Sequence, residues 1–537
     1  MKRDLEGFIR SHVEKLEPLN RESSLAYWDA SLSGRREDFD RYSTTQMKIE
    51  EIYSNREDFK FLEKAHKSGG IGEERLERQV EILYLRYMGN QIDTDLLGEI
   101  VTLGARVENS FNVFRAEVDG EELTTNDVFR IMREETDAAS KRRVWEACKK
   151  VGRIVENDLK ELVRLRNRAA REAGFANYFD MSLRLSEQSA EELENLFGEL
   201  DGLTREPFRR LKGELDGKIA GRFGIEPGEI EPWHYDDPFF QEAPECGEPD
   251  ANQLYRGKDP VELARSFYNS IGMVVDDIIQ RSDLYERRGK NPHAFCTDID
   301  RRGDIRILAN IVDNESSMET ILHELGHAVY DKYIDHGLPY LLRQYPHLCT
   351  TEATAMYFGR IAKEPAWIRA ALDIDESLMD GAAGGIERSM KSKQLVFSRW
   401  CQTMFHFERG MYADPDRDLN KMWWDIVERF QFVRCPAGRD EPDWATKIHI
   451  VASPVYYHNY MLGELIASQF HDYISDEVFG PGRDAGDIFG EPRIGRFFKE
   501  NVFNSGKIYP WSDHVEKATG NPLSARHFAA QFVGGDP

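Results

Sequence analysis

Apolar residues recur at three- and four-residue steps along most of the 537-residue chain, and strict alternation is rare, so the pattern predicts helices almost throughout. Leu193, Leu196, Phe197 and Leu200 form one apolar stripe on an otherwise acidic segment and read as core. A long helix is expected to begin at Asn126 or Asp127, to carry Val128, Ile131 and Met132, and to run through Trp145 and Leu159 toward Gly174. From Glu226 to Asp250, Pro227, Pro232, Pro238, Pro244 and Pro249 prevent regular helix and predict an irregular excursion, either functional or a solvated surface loop. Alternation is clear once, at Ile305, Ile307, Ala309 and Ile311. The turn residues Arg301 to Asp304 link that run to Phe295 through Ile299 as a short hairpin. Gly69 to Gly72 and Gly381 to Gly385 read as breaks between helices, and no 20- to 50-residue repeat indicates a solenoid. The expected fold class is mainly α, a two-lobed helical body with one small antiparallel sheet.

Charge narrows the partners. The chain carries 71 basic and 96 acidic residues, a net charge of -25, and its field repels phosphate backbones and anionic lipid, so neither nucleic acid nor membrane is an expected partner. No apolar run approaches the roughly 20 residues of a membrane span, and the first 20 positions are charged throughout without a cleavable leader pattern. A cytoplasmic location is therefore expected. The six cysteines (Cys148, Cys246, Cys296, Cys349, Cys401, Cys435) are dispersed, contain no CxxC pair, and read as buried free thiols.

After the hairpin the sequence runs Asn314-Glu-Ser-Ser-Met-Glu-Thr-Ile-Leu-His323-Glu324-Leu-Gly-His327. Ser316 and Glu319 have capping-box spacing, so a helix is expected to start here and continue through Tyr330. On a helix the i, i+4 spacing puts His323 and His327 on one face, where both imidazoles reach one cation, while Glu324, rotated by about 100°, stands beside it. Two surface histidines on an ordinary helix are the plain alternative. Catalytic zinc takes three protein ligands and keeps an open position, and Glu352 is the candidate third ligand. It sits in a second expected helix, Thr350 to Phe358, with room before it for a loop through Gly337 and Pro339. A helix-start glutamate facing water is the alternative. With one Zn2+ per chain, bound water is acidified, and Glu324 is placed to take its proton and pass it to a leaving nitrogen, which suits peptide hydrolysis.

These residues resemble the gluzincin peptidases, and most of all the angiotensin-converting enzyme family of peptidyl-dipeptidases. The resemblance runs from about Asn126 to the C-terminus, the first 120 residues matching only in helical character. Its most specific part is Lys447-Ile-His449 together with Pro454-Val-Tyr-Tyr457-His-Asn-Tyr460. It implies that Lys447 and Tyr457 hold the substrate's terminal carboxylate, that His449 binds a substrate carbonyl, and that Tyr460 steadies the oxyanion. Pro292-His293-Ala294-Phe295 is similar to the family's substrate-binding histidine and the strand edge after it. The expectation that follows is one catalytic domain over 1–537, two helical lobes about a deep central groove, with the zinc motif at 316–357 and substrate-binding segments at 290–312 and 447–470. Short unstructured peptides are the expected partners.

Three positions depart from the family pattern. Met356 stands where an Asp orients a zinc histidine, and Asn459 where a chloride-binding arginine is found. No carboxylate-binding glutamine is evident around Trp233-His234-Tyr235. The spacing from His327 to Glu352 is also similar to the thimet oligopeptidase and oligoendopeptidase F families, and a helical metallocarboxypeptidase belongs to the same group, so cleavage position stays open among dipeptide release, single-residue release and internal cutting. A helical binding protein carrying a relic zinc motif is the non-enzymatic alternative.

Overall fold

The computed structural model describes residues 2–244, 252–374, 376–480 and 487–534, and 70% of it is helical. Cys246, Pro249 and Asp250 lie outside the described residues. The chain divides into two compact units, each built from separated stretches of sequence. Unit one comprises Met1–Gln91, Pro249–Glu387 and Leu462–His527; unit two comprises Ile92–Glu248, Arg388–Met461 and Phe528–Pro537.

Unit one is organised around the helix Glu315–Tyr333. Met318, Ile321, Leu322, Leu325, Ala328 and Val329 are fully buried on one apolar face, and burial of Ser317, Glu324, Gly326 and Tyr330 on either side of it places the helix inside the core. Asn314 caps it, its side chain accepting the Ser317 N–H at 2.8 Å, in place of the expected Ser316–Glu319 box. Glu319 is drawn away from a capping role by an ion pair with Lys363. The helix Leu348–Arg360 packs on it. Contact is close because Gly326 has no side chain: a Cβ there would stand 2.8 Å from the Ala355 Cα. The expected hairpin is present as β3, Phe295–Asp298, antiparallel to β4, Ile305–Leu308, in the register Phe295↔Leu308 and Asp298↔Ile305. Ile305 and Ile307 turn into the core, while Arg301 and Gly303 take positive φ in the turn.

Unit two corrects the sequence reading in several places. The long helix expected from Asn126 to Gly174 is three helices: Thr125–Glu134, Ala138–Lys149 and Val151–Glu172. Thr124, not Asn126 or Asp127, is the first cap, in a reciprocal box with Asp127. The interruption follows from Glu135, extended and accepting the N–H groups of Thr136 and Asp137, after which Asp137 caps the next helix. A second small sheet, β1 (Ala116–Val118) with β2 (Glu121–Leu123), was not expected; the Asp119-Gly120 pair that turns it, both at positive φ, is a hairpin signature. The described part of the proline-rich excursion, to residue 244, is irregular, with two short 3-10 turns, and from Trp233 on it is no solvated loop: Trp233, Tyr235, Asp237 and Phe240 are buried in it. The stripe on the helix Ala190–Phe223 is core as expected at Leu193, Phe197 and Leu200, with Leu196 half-buried.

Of the glycine stretches, Gly69 to Gly72 does separate two helices, whereas Gly381 to Gly385 lies within the helix Glu376–Ala413. Each glycine weakens a helix by about 1 kcal/mol relative to alanine. Burial of Val396, Trp400, Cys401 and Met404 further along holds that helix together. Cys349 and Cys401 are buried free thiols, while Cys148, Cys296 and Cys435 are free and only partly covered. Among the described residues, no helix is long and apolar enough to cross a membrane.

Candidate metal centre and substrate-binding groups

Adjacent turns of the helix Glu315–Tyr333 present His323 and His327, and their Nε2 atoms stand 3.2 Å apart. The helix Leu348–Arg360, seated by Gly326, brings Glu352 to both: its carboxylate oxygens lie 3.7 Å from His323 Nε2 and 3.8 Å from His327 Nε2. Tetrahedral zinc with donors at about 2.0–2.1 Å separates those donors by about 3.3 Å. The observed spacings differ from this by a few tenths of an ångström, so the donor set fits the ion. Among the described residues these three are the one group of His, Cys, Asp or Glu with metal-ligand spacing.

Electrostatics supports the same reading. Burial pushes the His323 imidazole down to about 4 and His327 well below its ordinary value, which leaves both rings neutral with a lone pair to offer. Burial and the charge of Glu464 raise Glu352 to about 7; burial and the charge of Glu352 raise Glu324 to about 8. Two crowded carboxylates without a counter-charge call for a cation. Glu324 is 7% exposed, and its Oε2 is buried without a hydrogen-bond partner. In place of the orienting Asp, where Met356 stands, Thr351 Oγ1 meets His327 Nδ1 at 2.8 Å and fixes the ring from behind. Sequence reading missed Thr351, although a hydroxyl beside the ligand glutamate is visible in the sequence.

The cluster opens on a cavity of about 540 Å3, lined also by Ala294, Cys296 and Asp298. One side of the hairpin is occupied: Asp283 bridges to Leu308 of β4. Phe295, Cys296, Thr297 and Asp298 of β3 line the cavity, and the Cys296 backbone hydrogen-bonds Glu324. Ala294 is thus in the site, whereas His293 is an exposed turn residue whose N–H caps onto Asn291 Oδ1, and it does not line the cavity.

Lys447, His449, Tyr457 and Tyr460 belong to unit two and gather around aromatic rings. Lys447 Nζ donates to Gln241 Oε1 at 2.6 Å and lies 5.1 Å from the ring centres of Phe239 and Trp400 and 5.5 Å from that of Tyr457. Burial lowers its pKa to about 8. The rings of His449 and Tyr457 are 5.1 Å apart, and those of Tyr457 and Tyr460 5.3 Å. His449 is pushed down to about 4 by burial and by Lys447, and its Nδ1 is buried without a partner. Tyr457 precedes the helix His458–Tyr473 and is buried; Tyr460, in its first turn, is half-exposed. Asn459 is tied to the Gln188 amide at 2.7 Å, and His458 to the same side chain.

Two groups of this region escaped the sequence reading. Gln241, in the excursion, accepts the hydrogen bond of Lys447 Nζ. Val455 takes φ 54, a left-handed conformation costly for a β-branched residue, and its N–H donates at 2.8 Å to the buried carboxylate of Glu408. No local pattern announces either contact, because each joins residues far apart in sequence.

The chain matches the family described as angiotensin-converting enzyme over residues 2–211 and 245–532. The match begins at residue 2, so the first 120 residues share more with the family than helical character. The unmatched stretch, 212–244, includes the part of the excursion that brings Phe239 and Gln241 to Lys447.

Proposed function

The chain belongs to the angiotensin-converting enzyme family of peptidases, and on that premise we propose that it is a zinc peptidyl-dipeptidase acting on short unstructured peptides in the cytoplasm. The single observation that carries the reading is the convergence of His323, His327 and Glu352 at ligand spacing beside Glu324, whose Oε2 is buried without a partner. Free, dispersed thiols are in keeping with a reducing compartment.

Zinc, when bound by His323, His327 and Glu352, supplies Lewis acidity that polarises the scissile carbonyl and acidifies water. Thr351 keeps His327 in the tautomer that offers Nε2. Glu324 accepts a proton from the attacking water on its free oxygen and returns it to the leaving nitrogen. Tyr460 donates its phenolic hydrogen to the oxyanion, and His449 donates to a neighbouring substrate carbonyl. Lys447, Gln241 and Tyr457 hold the terminal carboxylate. The edge of β3, from Ala294, receives the substrate backbone.

Mass spectrometry of products from free and C-terminally amidated peptides tests this. Release of dipeptides, with kcat/KM reduced about 10- to 100-fold by amidation, is expected from the loss of a charge-assisted contact. Internal cutting indifferent to amidation contradicts the dipeptidase reading in favour of an oligopeptidase, and single-residue release points to a carboxypeptidase.

A further inference from the structure

A cavity of unit two carries chemistry that the peptidase reading leaves unused. It has a volume of about 480 Å3, and its wall combines the rings of Phe111, Phe114, Phe129 and Phe239 with the cationic side chains of Arg115, Lys149 and Lys447. No Asp or Glu lines it, although the chain has 96 acidic residues against 71 basic ones. Lys149 is 5% exposed and Lys447 8%.

Lys149 Nζ donates to Thr446 Oγ1 at 3.3 Å and lies 3.5 Å from the centre of the Phe239 ring, the same ring that Lys447 Nζ approaches at 5.1 Å. Among the described residues, neither ammonium forms an ion pair. The acids closest in effect are committed elsewhere. Asp237 accepts the backbone N–H groups of Phe239, Gln241 and Glu242. Asp443 accepts two guanidinium contacts from Arg439 at 2.6 Å and the Trp424 indole. An ammonium desolvated without a counter-ion is costly, and two beside one ring add mutual repulsion. The missing negative charge has to arrive with a ligand.

Lys447 is accounted for by a terminal carboxylate, and Lys149 is not. We propose that Lys149 reads an acidic side chain on the last residue of the substrate, so that the preferred peptides end in Glu or Asp. This specificity rests on the peptidyl-dipeptidase reading. Both ammoniums lie against one phenyl ring, within reach of the two carboxylates of a single acidic residue, while the surrounding rings cover its methylenes and keep water from the ion pairs.

The test compares quenched fluorescent peptides that differ only in ending with Glu, Gln or Phe, cleaved by the zinc-loaded wild type, Lys149→Met and Lys149→Arg. The wild type is expected to favour Glu over Gln about tenfold or more in kcat/KM, through KM, as a charged hydrogen bond in a covered site requires. Lys149→Met should remove that preference by impairing the Glu peptide alone, and Lys149→Arg should retain it. Lys149→Met should also melt no lower than wild type, because an uncompensated buried charge is gone. Equal rates on Glu and Gln, preference for Phe, or a loss shared by both peptides in Lys149→Met would overturn the assignment. If the chain cleaves nothing, the peptidase reading fails, and the pocket is then tested separately by calorimetry on the chelator-treated full chain with Ala-Glu and Ala-Gln. Tighter binding of Ala-Glu that depends on Lys149 supports the pocket, and equal binding of the two refutes it.

Discussion

The candidate metal cluster of unit one and the segment of unit two proposed to bind the peptide end are built by opposite means. In unit one, two regular helices do the positioning: helical spacing aligns His323 with His327, the missing Cβ of Gly326 admits the second helix, and Glu352 comes to both rings at 3.7 and 3.8 Å. In unit two, the groups between Lys447 and Tyr460 ride on broken backbone, with one four-residue helix, His449–Ala452, and a valine in the left-handed region. Buried polar contacts hold that backbone in place: Glu408 to Val455, Lys447 to Gln241, Asn459 to Gln188. Regular structure suffices where one dication will finish the organisation of three donors. In the unit-two segment the strained Val455 backbone is held by its hydrogen bond to Glu408 instead.

The largest expected effect sharpens the unit-one side. Glu324→Gln removes the base while leaving all three donor atoms, so kcat should fall by about 100- to 10,000-fold with one zinc per chain retained. A peptide assay paired with elemental analysis checks both halves; full activity, or loss of zinc, contradicts the division of roles between Glu324 and the ligands.

Thr351→Val comes next. It keeps the volume of the side chain and deletes the contact to His327 Nδ1, so zinc affinity should drop about 10- to 100-fold in a chelator competition. An unchanged affinity would mean that the imidazole is held by packing alone.

The smallest effect addresses unit two. Burial raises Glu408 to about 8, above its unfolded value of about 4.3, so the folded chain binds an extra proton between those limits. Its contribution to stability is therefore complete below about pH 4 and is lost as pH rises through about 8. Glu408→Gln keeps an acceptor for the Val455 N–H and cannot titrate. Its melting temperature should decline less than that of the wild type between pH 5 and 8.5, and parallel curves would remove Glu408 from the account.

Much of the metal centre was legible in the sequence because the information is local. An i, i+4 histidine pair on a helix specifies its own geometry, and Glu352 announces itself by its small and apolar neighbours. The cap was misplaced by two positions because Asn314 captures the Ser317 N–H and starts the helix earlier, while Lys363 claims the Glu319 carboxylate that a box with Ser316 needs. The break at Glu135 was missed because apolar periodicity continues across it. Nothing local to Gly326 marks its role, which is to let Ala355 of the second helix approach. Gln241, Glu408 and Lys149 were beyond reach for a common reason: their partners Lys447, Val455 and Thr446 lie 206, 47 and 297 positions away, separations about which periodicity is silent. The Asp119-Gly120 hairpin, by contrast, was local and readable.

The most direct test of the metal centre is an anomalous difference map at the zinc absorption edge from crystals of the zinc-loaded chain. The expected result is one peak per chain, about 2 Å from His323 Nε2, His327 Nε2 and a carboxylate oxygen of Glu352. A peak elsewhere, or none between those three side chains, contradicts the assignment.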